Sequence, residues 1–579
     1  MKQLPRLLLF SSAFTLLAGP VHAADISATG TGALNAGTSW VGGTAPGTGD
    51  VAVFDSNTTI TGQPQVIFGA NLAWGGIIVT NPVKGATSTT NGLMIGTSSS
   101  GNTSVANLTL GNSSLTNGGG IDMSNATTPF YIGANLTLAA SQTWNVAEAN
   151  SSITTPATGT GSAISPFALT QYESLVVSGA SASSNTSLMP FSLGGNTLTT
   201  TGLGGIVLYS GLDISNGTIN VGNGAQGVTS AFNDTQAFVI QSGGAHPITV
   251  ESNVTIGVTD ATMRIQVNSG SVFYNATTNL NDNAVLNLIS TNSGAGNSMT
   301  INGPLNILGN TIIADTNAPN NGAAQSRPIT IAGNLTGSAA LQFQVVTTGT
   351  GSVILNGNDS AYTGAVTLDA PSGNGTVTLG TATAGSAAAT WTINAANTLR
   401  VAGVTVQLGT LNGAGQVTNS VPATTAQLVV GSGNFSGNIT NGAANIGLTK
   451  VGAGTLLLTG NDTLAGPNID GGTLINNGVV TVDNILVNSG ATLAGNGTIN
   501  GNVIINSGGI FAPGNQTAIG ALTIGNNSVF TWNGAGGDTA YFALGNSDST
   551  SDQLNITGTG VLSEGSGSTF QFNFGGTGN

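Results

Sequence analysis

The chain has 579 residues, of which 89 are Gly, 7 are Lys or Arg, 21 are Asp or Glu, 2 are His and none is Cys. Charged residues make up 5% of the sequence, against about 25% in an ordinary soluble domain. The net charge of −14, with so few Lys and Arg, excludes binding to nucleic acid or anionic lipid through clustered basic residues.

The first residues predict a cleaved secretory signal peptide at 1–23. Lys2 and Arg6 form a basic start, an apolar run follows from Leu7 to Leu17, and Val21-His22-Ala23 offers a cleavage site. No later apolar run approaches the length of about 20 residues that spans a bilayer. We therefore expect no transmembrane segment in the mature chain.

The mature sequence predicts short β-strands and few helices. Gly and Asn interrupt almost every window, and few segments show the apolar spacing of an amphipathic helix. Short apolar or alternating runs, such as Val353-Ile354-Leu355 and Asn502 to Ile505, are bounded by Gly, Asn, Ser or Asp. The pattern is typical of many short strands joined by tight corners.

Internal repeats indicate how these strands assemble. Residues 349–359 read GTGSVILNGND, and residues 452–462 read GAGTLLLTGND. So short a strand cannot bury its apolar side alone, but it can when it stacks between similar neighbours. We therefore predict an all-β chain that forms a parallel β-solenoid with coils of about 20–25 residues.

This architecture accounts for the unusual composition. Gly and Asn tolerate the positive φ angles of tight corners. Like charges stacked at the strand spacing of about 4.8 Å would repel, whereas ladders of Thr, Ser and Asn can pair. A string of β-sandwiches or a propeller is the alternative, but sandwich strands are usually longer and no blade period of about 40–50 residues is visible.

Few residues could carry catalysis or bind a metal. His246 is the one His of the mature chain and lies in a turn, while Cys is absent, so neither a nucleophile–His pair nor a zinc site is predicted. Acidic residues remain as candidates for acid–base chemistry beside a cation. These are Asp462 and Asp470 with Lys450, and a second group formed by Asp538, Asp548 and Asp552.

We interpret these acidic residues as turn and surface residues, because nothing in the sequence makes either group converge. No catalytic, cofactor-binding or metal-binding residue is therefore predicted. Trp side chains could stack on sugar rings, but they are dispersed and are predicted instead to pack against coil ends or cover the core. They are Trp40, Trp74, Trp144, Trp391 and Trp532.

One stretch carries a family resemblance. Residues 448–474 read LTKVGAGTLLLTGNDTLAGPNIDGGTL and closely resemble the autotransporter-associated β-strand repeat. The sequence departs from that family's pattern at Asp462, Leu464 and Ala465. The positions that match are Lys450, Gly452, Gly454, Thr455, Leu456, Leu458, Gly460, Gly472, Thr473 and Leu474.

The resemblance implies a right-handed parallel β-helix that a Gram-negative-type bacterium secretes or displays at its surface, associated with the outer membrane. Our favoured hypothesis is a non-enzymatic protein, adhesin-like or a structural passenger, whose candidate partner is a surface glycan or matrix component. A polysaccharide-active β-helix enzyme (lyase or hydrolase) and a released passenger fragment without a ligand are the alternatives.

No translocating barrel of the autotransporter type is recognised after Leu562. We therefore expect a truncated chain, a released protein or export by another protein, and the export partner stays open. Because open coil ends are unpaired sheet edges, self-association is also expected to be possible.

The predicted organisation has five parts. They are the signal peptide at 1–23, an N-terminal cap with the first coils at 24–145, a central β-solenoid at 146–405, C-terminal coils at 406–530 that include the repeat at 448–474, and a terminal β segment at 531–579.

Overall fold

The computed structural model describes most of the chain after the predicted signal peptide, which itself lies outside the described residues. Within the described residues the structure consists of β-strands and two 3-10 helices, Gly37–Ser39 and Thr116–Gly118. The described residues are 24–29, 32–60, 66–84, 93–96, 106–146, 174–178, 188–202, 205–222, 237–242, 247–267, 271–290, 299–315, 329–345, 353–370, 374–515, 518–534, 539–547, 550–567 and 569–575.

The strands form parallel stacks in which each strand pairs with those of the preceding and following coils. An 11-stranded sheet forms the first stack. Its strands are Asp25–Ser27, Val51–Phe54, Gly76–Val79, Gly120–Met123, Gln142–Val146, Thr197–Thr201, Gly217–Val221, Val254–Val258, Thr277–Leu280, Leu305–Ile307 and Leu335–Gly337.

A 14-stranded sheet forms the second stack. Its strands are Leu72–Trp74, Asn107–Leu110, Asn135–Leu138, Met189–Ser192, Leu212–Ser215, Ile248–Val250, Val272–Tyr274, Met299–Ile301, Ile329–Ile331, Val353–Leu355, Thr376–Leu379, Thr398–Val401, Gln416–Asn419 and Asn438–Thr440. A separate two-stranded pair joins Thr59–Ile60 to Val83–Lys84.

The third stack continues to the C-terminal end, where longer strands such as Thr405–Gly413 and Val479–Val487 join neighbouring rows into one hydrogen-bonded set. Its strands are Val66–Ile67, Leu93–Gly96, Phe130–Gly133, Ser174–Ser178, Gly205–Tyr209, Ala237–Ser242, Thr262–Val267, Ala284–Ser290, Thr311–Asp315, Leu341–Val345, Ala365–Leu368, Thr390–Ile393, Thr405–Gly413, Ala426–Phe435, Ile446–Lys450, Thr455–Leu458, Asn461–Thr463, Asn468–Ile469, Gly472–Asn476, Val479–Val487, Ala491–Gly495, Thr498–Ile505, Ile510–Pro513, Ala521–Ile524, Val529–Trp532, Thr539–Ala543, Gln553–Ile556, Val561–Glu564 and Gln571–Gly575.

Strand alternation places the core inside the coils. In Val254–Val258 the first, third and fifth side chains are buried, and the two between them are partly exposed. The parallel register then stacks like on like, so that Leu198 lies beside Ile219 and Ile219 beside Ile256 in successive coils. The apolar side chains form a column along the interior, and the prediction of a parallel β-solenoid is confirmed.

The length of a coil varies more than the expected 20–25 residues. Leu456 pairs with Leu474, 18 positions later, whereas Ile77 pairs with Ile121, 44 positions later. Extra residues enter between strands, at corners, and leave the strand pairing intact. A solenoid therefore accepts long corner insertions, because lengthening a loop costs little free energy.

A non-repetitive segment at 32–50 covers the N-terminal end of the core. Trp40 bridges to Ala28 in antiparallel fashion, and its indole Nε1 donates a 2.8 Å hydrogen bond to the carbonyl of Leu34. The ring is buried against Trp74 and Phe54, with centroids 5.7 and 6.1 Å away. Aromatic side chains thus close the core at this end.

Candidate functional surface

Asp462 is a buried structural residue, and its interpretation as an exposed turn residue was wrong. Its side chain is 2% exposed, and its Oδ1 accepts a 2.7 Å hydrogen bond from the backbone N–H of Ile439 in the previous coil. Asp359, at the matching place in the other GND copy, accepts from Leu335 N–H in the same way. The shared motif therefore ties one coil to the coil before it.

Burial changes the acidity of both carboxyl groups. Desolvation raises the pKa of Asp359 to about 7 and that of Asp462 to about 6, although the backbone N–H on each opposes the shift. The second oxygen of each carboxyl has no hydrogen-bond partner among the described residues. Neither group is open to solvent, so neither can meet a substrate.

Lys450 is buried too, and it bonds to carbonyls rather than to an acid. Its Nζ donates to the backbone oxygens of Val451, Gly452 and Gly471 at 2.8, 3.2 and 3.0 Å. Burial lowers the pKa of the ammonium group. Within the described part of the chain Lys450 forms no ion pair with Asp462 or Asp470, so these three residues do not form an acid–base site.

Two further acidic candidates also form structural hydrogen bonds: Asp470, which is exposed as predicted, and Asp552, which is buried. Asp470 accepts a 2.6 Å hydrogen bond from the amide of Asn488 and begins a ladder of side-chain hydrogen bonds that continues through Asn506 to Asn533. Asp552 accepts from the backbone N–H groups of Gly520 and Ala543. The other three candidates, His246, Asp538 and Asp548, lie outside the described residues.

Among the described residues no three His, Cys, Asp or Glu side chains come together as metal ligands would. All five Trp side chains are buried, as their predicted packing role requires, so none is free to stack on a sugar. In the same described part of the chain no helix is long and apolar enough to cross a membrane.

The third stack carries apolar side chains on its outer side, a feature that the sequence analysis missed. Tyr131, Val207 and Val239 are buried and form a cluster separate from the core, with Met94 and Tyr209 beside it. Burial raises the pKa of Tyr131 to about 12. Because these residues are buried, they offer no exposed surface for a partner.

The first stack, by contrast, presents an ordered polar surface from Thr143 to Thr336, and we call the outward side chains of its strands in this range the Thr/Asn face. One row along it contains only threonines. Thr197 pairs with Thr218, Thr218 with Thr255 and Thr255 with Thr277, and all four side chains are partly exposed. Four successive coils thus place a hydroxyl at the same position.

A second row of the Thr/Asn face runs beside the first, two residues further along each strand. The last three side chains of this row are joined by hydrogen bonds. Asn306 donates to Asn279 at 2.8 Å, and Thr336 donates to Asn306 at 2.6 Å. In chain order its members are Thr143, Thr199, Asn220, Gly257, Asn279, Asn306 and Thr336.

The Thr/Asn face is a grid of neutral donors and acceptors. From strand geometry its groups repeat about every 4.8 Å along the solenoid and about every 6.6 Å along each strand. The described outward positions from Thr143 to Thr336 on this stack carry no charge. The sequence predicts polar ladders but not this face, because corner insertions hide which threonines share a row.

Comparison with known proteins adds no relative. No family model, no curated protein and no solved structure matches the chain.

Proposed function

We propose that the protein is a non-enzymatic, extracellular β-solenoid that acts as an adhesin-like or structural rod. It is secreted or displayed at the surface of a Gram-negative-type bacterium, in association with the outer membrane. Its Thr/Asn face makes many weak contacts with an uncharged polysaccharide of the surface or matrix. Each contact is weak, and repetition along the rod supplies the avidity.

The observation that carries this proposal is the in-register, charge-free Thr/Asn face. A polysaccharide offers hydroxyl groups at a regular interval, and a row of Thr hydroxyls and Asn amides can pair with them as donors and acceptors. Because the face has no ions, such contacts change little with salt. No described group of carboxylates favours the alternative of a polysaccharide-cleaving enzyme.

The stretch at 448–474 supports the extracellular placement through its sequence resemblance to autotransporter-associated repeats. Its Lys450 has a structural role in that stretch, since the ammonium group fixes the Gly-rich turn through three carbonyls. The absence of Cys is compatible with export, because the coils are held by backbone pairing and apolar stacking and need no oxidising enzyme.

Sedimentation of the purified full chain with insoluble cellulose and chitin tests the proposal. We expect the wild-type protein to bind at least one of these polymers, and to bind equally at low and high salt. The double variant T218E/T277E places two carboxylates on the Thr/Asn face and should lose binding at least tenfold, because burying a charge against a neutral polymer is unfavourable.

The matched control is T300E/T418E, which places the same two charges at partly exposed positions of the second stack. It should bind like the wild type. Equal loss in both double variants would contradict a role for the Thr/Asn face, and a wild-type protein that binds neither polymer would contradict the adhesin-like function.

A further inference from the structure

The second row of the Thr/Asn face has a gap at Gly257. Asn220 in the coil before it and Asn279 in the coil after it occupy the same position of the row. A Cβ built on Gly257 would lie 3.2 Å from Oδ1 of Asn220 and, apart from its chain neighbours, within 4 Å of no other described residue. The φ of Gly257 lies outside the left-handed region, so the backbone does not require Gly here. The missing side chain therefore leaves a notch between two amide side chains.

A hydrogen-bond acceptor and a hydrogen-bond donor flank this notch. Asn220 is exposed, and its Oδ1 lies beside the place that a Gly257 side chain would fill. The oxygen of Asn279 accepts a 2.8 Å hydrogen bond from Asn306 in the following coil. Its Nδ2 is therefore directed to the preceding coil, where Gly257 stands. Among the described residues neither Oδ1 of Asn220 nor Nδ2 of Asn279 has a hydrogen-bond partner.

A secondary amide is complementary to this pair. Its N–H and C=O groups point in opposite directions, because the amide is planar and trans. Oδ1 of Asn220 can accept from the N–H on one side of the notch, while Nδ2 of Asn279 donates to the C=O on the other. Two coil spacings separate the flanking Cα atoms by about 9.6 Å, which leaves room for a planar group between the side chains.

The surroundings of the notch favour a neutral sugar. Its three strands, Gly217–Val221, Val254–Val258 and Thr277–Leu280, contain no charged residue. The carboxylate of an acidic sugar or the ammonium group of an amino sugar would thus leave water without an opposite charge to meet it. The partly exposed hydroxyls of Thr255 and Thr277 lie beside the notch and can pair with hydroxyls of the same sugar.

We propose that the notch at Gly257 binds the N-acetyl group of a sugar in an uncharged, N-acetylated polysaccharide. This inference rests on the proposed function and names the class of polysaccharide that the Thr/Asn face prefers. The threonine row contacts hydroxyl groups, which every polysaccharide has. Asn220 and Asn279 contact the substituent and so determine specificity, because a polymer without it leaves both amides to water.

Sedimentation of the purified full chain with chitin and with cellulose tests this inference. The two polymers have the same backbone of glucose-derived units, and chitin carries an acetamido group where cellulose carries a hydroxyl. We expect the wild-type protein to bind chitin at least tenfold more tightly, the magnitude that one or two neutral hydrogen bonds supply. Soluble chitohexaose should also release the protein from chitin at a concentration at least tenfold lower than cellohexaose does.

Two variants separate the notch from the rest of the face. G257T fills the notch and should bind chitin about tenfold less tightly than the wild type, with unchanged affinity for cellulose. N220L keeps the size of the side chain, removes the acceptor and should lose the preference for chitin in the same way.

The matched control is G133T, which adds the same side chain as G257T to the third stack. The nearest atom to a Cβ there is the carbonyl oxygen of Ile95, at 4.0 Å. This variant should keep the wild-type preference for chitin. Circular dichroism and melting temperature show whether each variant remains folded.

Equal affinity of the wild type for the two polymers would overturn the inference, as would a G257T or N220L variant that keeps the preference for chitin. A wild type that binds cellulose and not chitin would overturn it too, and would leave the adhesin-like function standing. A protein that binds neither polymer would contradict the adhesin-like function and this inference with it.

Discussion

At the scale of single residues, the buried Lys450 holds the turn that follows it. Its ammonium group replaces water at three backbone carbonyls, and no carboxylate neutralises it among the described residues. We expect K450M, which keeps the apolar stem and removes the donor, to lower the free energy of unfolding by about 1–3 kcal/mol. Urea denaturation of the folded chain measures the change.

Arg400 supplies the control for Lys450, because it is a partly exposed cation on the outer side of the second stack. R400M should change the free energy of unfolding by no more than about 0.5 kcal/mol. If K450M were as stable as the wild type, the hydrogen bonds from Nζ would contribute nothing to the fold.

The buried aspartates of the two GND copies, Asp359 and Asp462, should make the protein less stable as pH rises. An unfolded Asp has a pKa of about 3.9, whereas the folded pKa values are raised to about 7 for Asp359 and about 6 for Asp462. At pH values between the unfolded pKa and the folded pKa values, the folded state binds more protons than the unfolded state. The free energy of unfolding therefore falls as pH rises from about 4 to about 7.

The double variant D359N/D462N should flatten this slope. Each Asn keeps an oxygen that can accept the backbone N–H of Leu335 or Ile439 and does not ionise. The variant should thus lose less stability than the wild type over the same pH range, as urea midpoints at successive pH values would show. Parallel slopes for the two proteins would mean that these carboxyl groups are not the cause.

At the scale of elements, a column of glycines explains how corners stack so closely. A Cβ placed on Gly460 would lie 1.8 Å from the carbonyl oxygen of Gly437, and one on Gly437 would lie 1.8 Å from that of Gly415. The same contact recurs at Gly478 and Gly497, at 2.1 and 2.2 Å. At this corner five successive coils therefore have Gly, because any side chain there would collide with the coil before it.

We expect G460A to destabilise the fold by about 1–3 kcal/mol, because the coils must move apart to admit the methyl group. Gly49 offers a matched control, since no atom lies within 4 Å of the position that an added methyl group would take and its φ is not positive. G49A should be neutral or slightly stabilising. Thermal unfolding of both variants measures the difference. Equal melting temperatures would contradict the requirement for Gly at this corner.

The sequence predicted the strands of the repeats but not the burial of the aspartate that follows them. The two GND copies indicated stacking strands, and both copies form the same contact in the structure. Polarity suggested that Asp462 was exposed, yet it is buried, because a backbone N–H of the previous coil partly compensates the lost water. A contact between coils is non-local, so local composition cannot reveal it.

At the scale of the whole molecule, composition and repeats were enough to predict a parallel solenoid, because nearly neutral ladders are what stacked strands require. They could not locate the Thr/Asn face. The face depends on register across corners, and the separation between paired residues of successive coils ranges from 18 to 56 positions among the described strands.

The proposed extracellular role requires that the protein lies outside the cell, and antibody labelling of intact cells measures this location directly. An antibody against the folded chain should label unpermeabilised cells of the source organism, or detect the protein in their medium, with a cytoplasmic marker unlabelled. A protein that is detected only after lysis, in the fraction of the cytoplasmic marker, would contradict an extracellular role.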